Sequence, residues 1–488
     1  MHHKDLILIN PPSAFGSYVG TRINAAFQNY PLLSLASLAA YAREGGFSVV
    51  VLDLGIEMEP YKVLEEKLKE YSPDFIGITV TTPLFPEVAQ LSKFIRERVG
   101  DGTKLILGGP HATALPEDCL KESDFDIVVY GEGEETLLEI LQNKNLSEIK
   151  GIYYKDEGQI LKNQLRPMIQ DLDSLPFPAL DLFDIKRYKC PRVLNRKSPM
   201  INFMTSRGCV YGCTFCNKNI FGRKFRTKSV DYVIKEIEYC LNMGIQELRF
   251  VDDQFTTDMD RAKQICEAII KRGLKFPWNL AAGLRVDRVD EEFLRLAKKA
   301  GLYQTAFGFE SGDQASLDSI NKGITIEQSI KAMELVKKVG GIETVGFFMF
   351  GLPADTEETL KKTLKFALKL MPDMAKVTIT MPFPGTKLYE QYEQAGLIKS
   401  RDWSKYLLHG GGDIYTHPNL SHETMEKYYD LFYRQFYLNP RYLARRLVKS
   451  LISGTIIEDA RAGLRTFFPQ TFKSKLVSWL KTFRFIKK

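Results

Sequence analysis

The stretch SRGCVYGCTFCNKN, residues 206–219, sets Cys209, Cys213 and Cys216 in a C-x3-C-x2-C spacing, with the aromatic Phe215 immediately before the last cysteine. Three thiolates are brought to one short loop. A structural zinc requires four ligands in a tetrahedron, and the nearest histidine in sequence, His111, and the next cysteine in the N-terminal half, Cys119, fall in a different predicted domain. A centre that needs only three cysteines fits better. Iron–sulfur clusters are held by thiolates, and an iron left without a protein ligand keeps a coordination position for a small molecule. Cys190, Cys240 and Cys266 stand alone and read as small buried or incidental residues.

The loop follows the candidate strand INFMTS. Five more β-rich runs come after it, ELRFVDD, WNLAAG, QTAFGFE, TVGFFMF and KVTITMP, each followed by a helical stretch, through about Gly396. Six βα units are too few to close an eight-stranded barrel and enough for an open one, whose chemistry sits at the C-terminal strand ends. The cysteine loop occupies such an end.

Upstream, residues 5–140 alternate LILIN, SVVVLDL, FIGITVTT, KLILGG and IVVYG with amphipathic runs such as PYKVLEEKLKEY. Strands apolar on both faces and separated by helices indicate a doubly wound parallel sheet, Rossmann-like or flavodoxin-like. IKGIYYKDEGQILKN then reads as a hairpin turning at Asp156, Glu157 and Gly158, before a linker containing Pro176 and Pro178. The expected organisation is residues 1–145 as the first domain, 146–195 as hairpin and linker, 196–400 as the barrel and 401–488 as a helical, basic region.

Composition narrows the class further. The chain has 488 residues, 44% hydrophobic and 26% charged, with no uncharged span long enough to cross a bilayer. Its N-terminus, MHHKDLILINPP, lacks signal-peptide character. Seven sparse cysteines argue against a disulfide framework and for a reducing, cytoplasmic setting. The net charge of +7 is local: residues 440–488 hold twelve Lys/Arg against Glu458 and Asp459, so the tail carries +10 and the remainder −3. No nucleic-acid-reading module accompanies that charge.

The cysteine spacing, its aromatic and its place at the first strand of an open barrel resemble the radical S-adenosylmethionine (SAM) superfamily. The resemblance implies a [4Fe-4S] cluster on Cys209, Cys213 and Cys216, with SAM chelated to the open iron and cleaved by one electron to a 5'-deoxyadenosyl radical. Among residues in SAM contact it implies Phe215, and Glu310 and Ser311 in FGFESG, which match the family's ESG segment. The family's GGE motif is absent; FVDDQFT offers Asp252 or Asp253 in its place. Arg285 in AGLR is a further candidate, with a surface salt bridge as its alternative reading. Gly351 and Gly385 would admit backbone to the adenosine or serve only as turn formers.

With the barrel, the loops NPP, GGPHAT and GEGE resemble the cobalamin-binding class of this superfamily. This implies a cobalamin over the sheet's C-terminal edge, near Pro11, Ser13, Thr81, Gly108, Gly109, His111, Gly131 and Glu132. The D-x-H-x-x-G pattern that supplies a lower histidine ligand is missing, since Asp53 is followed by Leu54 and Gly55. For His111, loop packing competes with ligand contact.

The expected fold is thus α/β: a Rossmann-like cobalamin-type domain, an open (β/α)6 partial barrel and a mainly helical C-terminal region. The expected activity is modification of an unactivated carbon, methyl transfer first, with radical cyclisation or oxidation of a porphyrin- or lipid-like substrate as the alternative. A cobalamin-binding sensor with an inactive barrel is a third reading, against which the intact cysteine triplet stands. The partners implied are a small-molecule or lipid-like substrate and a reducing donor such as flavodoxin or ferredoxin. In TFKSKLVSWLKTFRFIKK, Phe472, Leu476, Leu480 and Phe483 oppose Lys473, Lys481 and Arg484. That pattern suits a peripheral membrane contact or a helix docked on the barrel.

Overall fold

The computed structural model describes residues 2–12, 30–188, 195–407 and 414–460. Ser13, Cys190 and the amphipathic stretch 471–488 lie outside them.

The N-terminal sheet is built on β1 (His2–Asn10), flanked by β2 (Val49–Asp53) and β3 (Tyr71–Thr79), and continued by β4 (Lys104–Gly108) and β5 (Ile127–Val129), all parallel. Leu6, Ile7, Leu8 and Ile9 are all buried, as expected of a central strand covered on both faces. The hairpin β6 (Ile152–Asp156) and β7 (Gln159–Lys162) adds two antiparallel strands at the β5 edge, turning through Glu157 and Gly158 with φ of +45° and +80°. Positive φ at both central residues is the two-residue turn whose twist matches a hairpin. The hairpin therefore extends the first sheet.

The second sheet contains β8 (Met200–Phe203), β11 (Glu247–Phe250), β12 (Trp278–Leu284), β13 (Leu302–Glu310), β14 (Glu343–Phe350) and β15 (Met374–Ile379), parallel and in sequential order. Between β8 and β11, the short ribbon β9 (Ser206–Arg207) and β10 (Arg226–Thr227) pinches the base of the cysteine loop. All six predicted strands are present. Each unit's helix starts on a side-chain cap: Ser229, Asp258, Asp290, Thr325, Thr356 and Thr386 each accept the backbone N–H three residues on. Each cap contributes about 1 kcal/mol and fixes where its strand-to-helix loop ends.

The barrel is open at β15, and an open edge leaves backbone groups unpaired. The helix His422–Tyr437 covers it. The Tyr437 hydroxyl accepts from Ala375 N (3.1 Å) and donates to Ala375 O (2.8 Å), and Tyr433 does the same at Val377 (3.3 Å each). Phe432 of the same helix packs on Phe348 and Phe350, which ties the C-terminal region to the outer face of the barrel.

Candidate active site

At the C-terminal ends of β1, β3, β4 and β5 lies a cavity of about 460 Å³. Pro11, Thr81, Gly108, Gly109, Gly131 and Glu132 line it on one side, and Met204, Arg207 and Phe221 of the barrel close the other. Gly109 has φ +101°, and a Cβ there would lie 2.7–2.8 Å from Thr79 Oγ1 and Val80 backbone atoms, so this loop admits no side chain. A glycine-rich floor that backbone can approach fits a flat macrocycle. No histidine lines the cavity among the described residues. Asp53 is engaged by Asn10 Nδ2 (2.7 Å), Gly55 N (3.1 Å) and the Tyr188 hydroxyl (2.7 Å).

His111, expected at the ligand, is not brought to the cavity. Its ring is fully buried, with centroids 4.7 Å from Phe85 and 5.2 Å from Trp403, and Nδ1 lies 3.2 Å from Thr82 Oγ1. Burial pushes its pKa down to about 4. Loop packing, the competing reading, is what the fold uses: Trp403 arrives from beyond the barrel and covers the ring.

The cysteine loop, residues 208–225, crosses the barrel mouth. Gly208 has φ +88°, and a Cβ there would meet Lys224 O at 2.3 Å. Its N–H donates to Asp253 Oδ2 (3.1 Å). Thr214 N donates to Ile320 O (3.0 Å), and Leu388 N donates to Thr214 O (2.9 Å), so the loop is fastened to the units following β13 and β15. Cys209 and Cys213 are half-buried and Cys216 is exposed. Among the described residues the three sulfurs do not all lie within 4.8 Å of one another. Three spaced thiolates without a fourth protein ligand fit a four-iron cluster with one open iron.

Comparison with known proteins decides the family. Residues 203–367 match the Radical SAM superfamily, and residues 21–141 match the B12 binding domain. The chain is 35% identical over 477 residues to an uncharacterized methyltransferase of Pyrococcus horikoshii, covering 95% of this chain and 99% of that one. The chain belongs to the radical SAM superfamily, with a B12-binding domain. These two domains match a [4Fe-4S] cluster, SAM and cobalamin as cofactors. It is also 30% identical over 390 residues to the anaerobic magnesium-protoporphyrin IX monomethyl ester cyclase of Rubrivivax gelatinosus, covering 78% of this chain and 69% of the cyclase. The fold is that of the cobalamin-dependent S-adenosylmethionine radical enzyme OxsB, solved with aqua-cobalamin and SAM: TM-score 0.72, 19% identity, 95% of this chain and 72% of OxsB covered.

Within this radical SAM mouth the expected SAM residues divide in two. Phe215 and Glu310 face each other across Lys322, whose Nζ is 2.6 Å from Glu310 Oε1 and 5.9 Å from the Phe215 centroid. Burial alone would push Lys322 down, but Glu310 and the Cys213 thiol hold its ammonium above the ordinary range. Glu310 takes φ +58°, an uncommon conformation for a residue with a side chain, at a register shift in β13. Lys322 carried no sequence signal: it is a single lysine in a loop, significant only because the fold places it between the strand end and the cysteines.

The remainder all bond to neighbouring protein groups. Asp252 accepts on Oδ1 from Thr205 N (3.0 Å), Thr205 Oγ1 (2.7 Å) and Ser206 Oγ (2.6 Å), while its buried Oδ2 has no hydrogen-bond partner, and burial pushes its carboxyl up. Asp253 holds Gly208, so the pair tethers the cysteine loop. Arg285 is buried, paired with Asp287 at 2.9 Å, and donates to Lys322 O (2.7 Å) and Gly323 O (3.0 Å). It is neither a surface arginine nor free for a carboxylate; it sets the turn that presents Lys322. Ser311 is fully buried, its hydroxyl 3.0 Å from Thr363 Oγ1. A Cβ on Gly351 would meet Met425 Sδ at 2.5 Å, so this glycine makes room for the C-terminal helix.

The two domains are joined beside the cysteines. Glu132, expected at cobalamin, accepts from Arg207 (2.8 Å), Arg226 (2.8 and 3.0 Å) and Ile169 N (2.9 Å), while Arg207 also reaches Glu134 (2.5 Å). All four side chains are at most 7% exposed. Glu132 lines the cavity with its charge already spent. The hint available in sequence was the E-x-E of YGEGEE facing the arginine of SRGC, two strand-end loops of opposite charge.

Proposed function

We propose that this chain is an enzyme that transfers a methyl group to an unactivated carbon of a small molecule. The observation that carries the reading is the adjacency of the two sites. Arg207 lines the B12-side cavity and stands two residues before Cys209, so one wall is shared by both. Bound together, the cluster and SAM supply an adenosyl radical and the cobalamin a transferable methyl group. The chain's own contribution is positional: Cys209, Cys213 and Cys216 ligate iron, Phe215, Glu310 and Lys322 form the barrel side of the mouth, and the Arg207–Glu132 contact fixes one domain on the other. Closing both cofactors into one mouth keeps a radical from solvent.

Relatives include both a methyltransferase and a cyclase, and product mass separates the two outcomes. After anaerobic reconstitution with iron, sulfide, cobalamin and a flavodoxin- or ferredoxin-type reductant, methylation adds one carbon and converts a second SAM to S-adenosylhomocysteine. Cyclisation leaves the methyl count unchanged. A sensor with an inactive barrel would show no reductive SAM cleavage at all.

We also infer a peripheral contact with an anionic lipid surface. No helix of the described residues is long and apolar enough to cross a membrane. Yet the helix Pro440–Ser453 turns Leu443, Leu447, Leu451 and Ile452 to solvent, and Ile457 follows. Exposed apolar side chains at helical spacing within a tail of net charge +10 suit a lipid headgroup layer.

A further inference from the structure

The inward face of the barrel can be assigned strand by strand. Phe203, Phe250 and Trp278 cluster on the outer face with Phe255 and Phe293. Arg249, the residue before Phe250, therefore points inward, in register with Asn202 and Asn279. On the far edge, Phe348 and Phe350 are outward, against Phe432, and are paired with Val377 and Ile379. Lys376, in register with Phe347, points inward.

β11 and β15 are separated by three strands in the sheet, so Arg249 and Lys376 project into the barrel's interior from opposite sides, close enough for the charge of Arg249 to act on Lys376. Among the described residues neither forms an ion pair or a hydrogen bond; the Arg249 guanidinium lies 5.0 Å from the Tyr30 ring centroid. The acid beneath is already satisfied: Glu247 accepts from Tyr303 (2.6 Å), Asn279 (3.3 Å) and the N–H groups of Arg196 and Lys197 (2.7 Å each). Beside Arg249, the buried Asn202 Oδ1 has no partner. Burial pushes the Lys376 ammonium down to about 8, and Arg249 adds to the shift. Two like charges, both half-buried and facing one interior without a counter-ion, are costly to keep together, and an anion that neither the described strands nor their loops provide would remove that cost.

We propose that the barrel interior binds an anionic group of the substrate, a carboxylate or a phosphate, between Arg249 and Lys376. Asn202 offers an acceptor to a neighbouring hydroxyl or amine. The assignment rests on the reading of this chain as a radical SAM enzyme and adds its substrate class. The carboxylate of SAM has the same chemistry, so the test separates the two sources.

Cluster-reconstituted protein is titrated calorimetrically with inorganic phosphate, with succinate and, separately, with SAM, for the wild type and for Lys376→Met, Arg249→Met and Lys376→Arg. Saturable binding of phosphate or succinate to the wild type is expected, weaker by about tenfold or more in either methionine variant and regained in Lys376→Arg. SAM affinity is expected to move far less. Absence of saturable anion binding, equal affinity in the methionine variants, or a loss confined to SAM would each overturn the proposal. If the methionine variants do not fold, acetylation of Lys376 in the wild type, read by peptide mass spectrometry, decides: phosphate or succinate should protect it, and labelling unchanged by both anions rejects the site. Failure of the wild type to cleave SAM reductively would instead count against the proposed function, and leaves these binding readouts intact.

Discussion

Arg207 of the barrel and Glu132 of the B12-binding domain form an ion pair at 2.8 Å, with side chains 6% and 4% exposed, two residues from the first cluster cysteine. Removing one partner of such a pair leaves a buried charge uncompensated, whereas removing both costs much less. Arg207→Met should lower unfolding free energy by about 3–5 kcal/mol. The double variant Arg207→Met/Glu132→Gln should recover part of it, as measured by denaturant unfolding in a double-mutant cycle.

Glu134 gives the same interface a pH dependence. Burial alone would raise its carboxyl, but the Arg207 guanidinium outweighs burial and holds it below its ordinary value of 4.5. A depressed folded-state pKa contributes stability that is complete above the unfolded value and is lost as pH falls through the folded one. Stability should therefore be insensitive to this group at pH 6–7 and decline below about pH 4.5. Glu134→Gln should flatten that acid limb in urea titrations at stepped pH.

His111 titrates in a higher window. Its pKa is pushed from 6.5 down to about 4 by burial, so the neutral ring is the folded form. Its contribution is present above pH 6.5 and lost toward pH 4, worth about 3 kcal/mol over that interval. His111→Leu should remove this part of the slope. The absorption spectrum of bound cobalamin should be the same in variant and wild type, because the ring is packed against Phe85 and Trp403 and does not line the cavity.

Cys213→Ala removes one of the three proposed cluster ligands and does not touch the residues lining the B12-side cavity. Iron and sulfide content and 5'-deoxyadenosine formation should fall to background, with cobalt content retained. Cleavage of SAM at the wild-type rate in this variant would remove the mechanism.

On the C-terminal helix, Leu447 and Ile452 are 56% and 83% exposed. Leu447→Glu/Ile452→Glu should reduce co-sedimentation with phosphatidylglycerol vesicles several-fold without lowering the melting temperature. Deletion of residues 470–488 should weaken it further through lost positive charge. Equal sedimentation of all three proteins would sink the lipid contact.

Both sheets were legible in the sequence because strand periodicity and helix caps act over a few residues, and the six barrel strands fall where their apolar runs predict. The proximity of Cys209, Cys213 and Cys216 was legible for the same reason, since three thiols within eight residues must share a loop. The roles of individual polar residues were not. Asp252, Arg285 and Ser311 stand at strand ends where a ligand contact is expected, yet each bonds to a neighbour from another unit, Thr205, Lys322 and Thr363, and Asp252 keeps only its Oδ2 unpartnered.

Sequence alone thus determined what covalent spacing and hydrophobic period encode: two α/β domains and three cysteines on one loop. Tertiary structure alone decided which charges are spent and which remain. Glu132 is neutralised by an arginine 75 positions away, His111 is sealed by Trp403, and Arg249 and Lys376 are left facing across the barrel. Partners so distant along the chain meet only through packing, and burial then fixes whether a side chain can still act on a ligand.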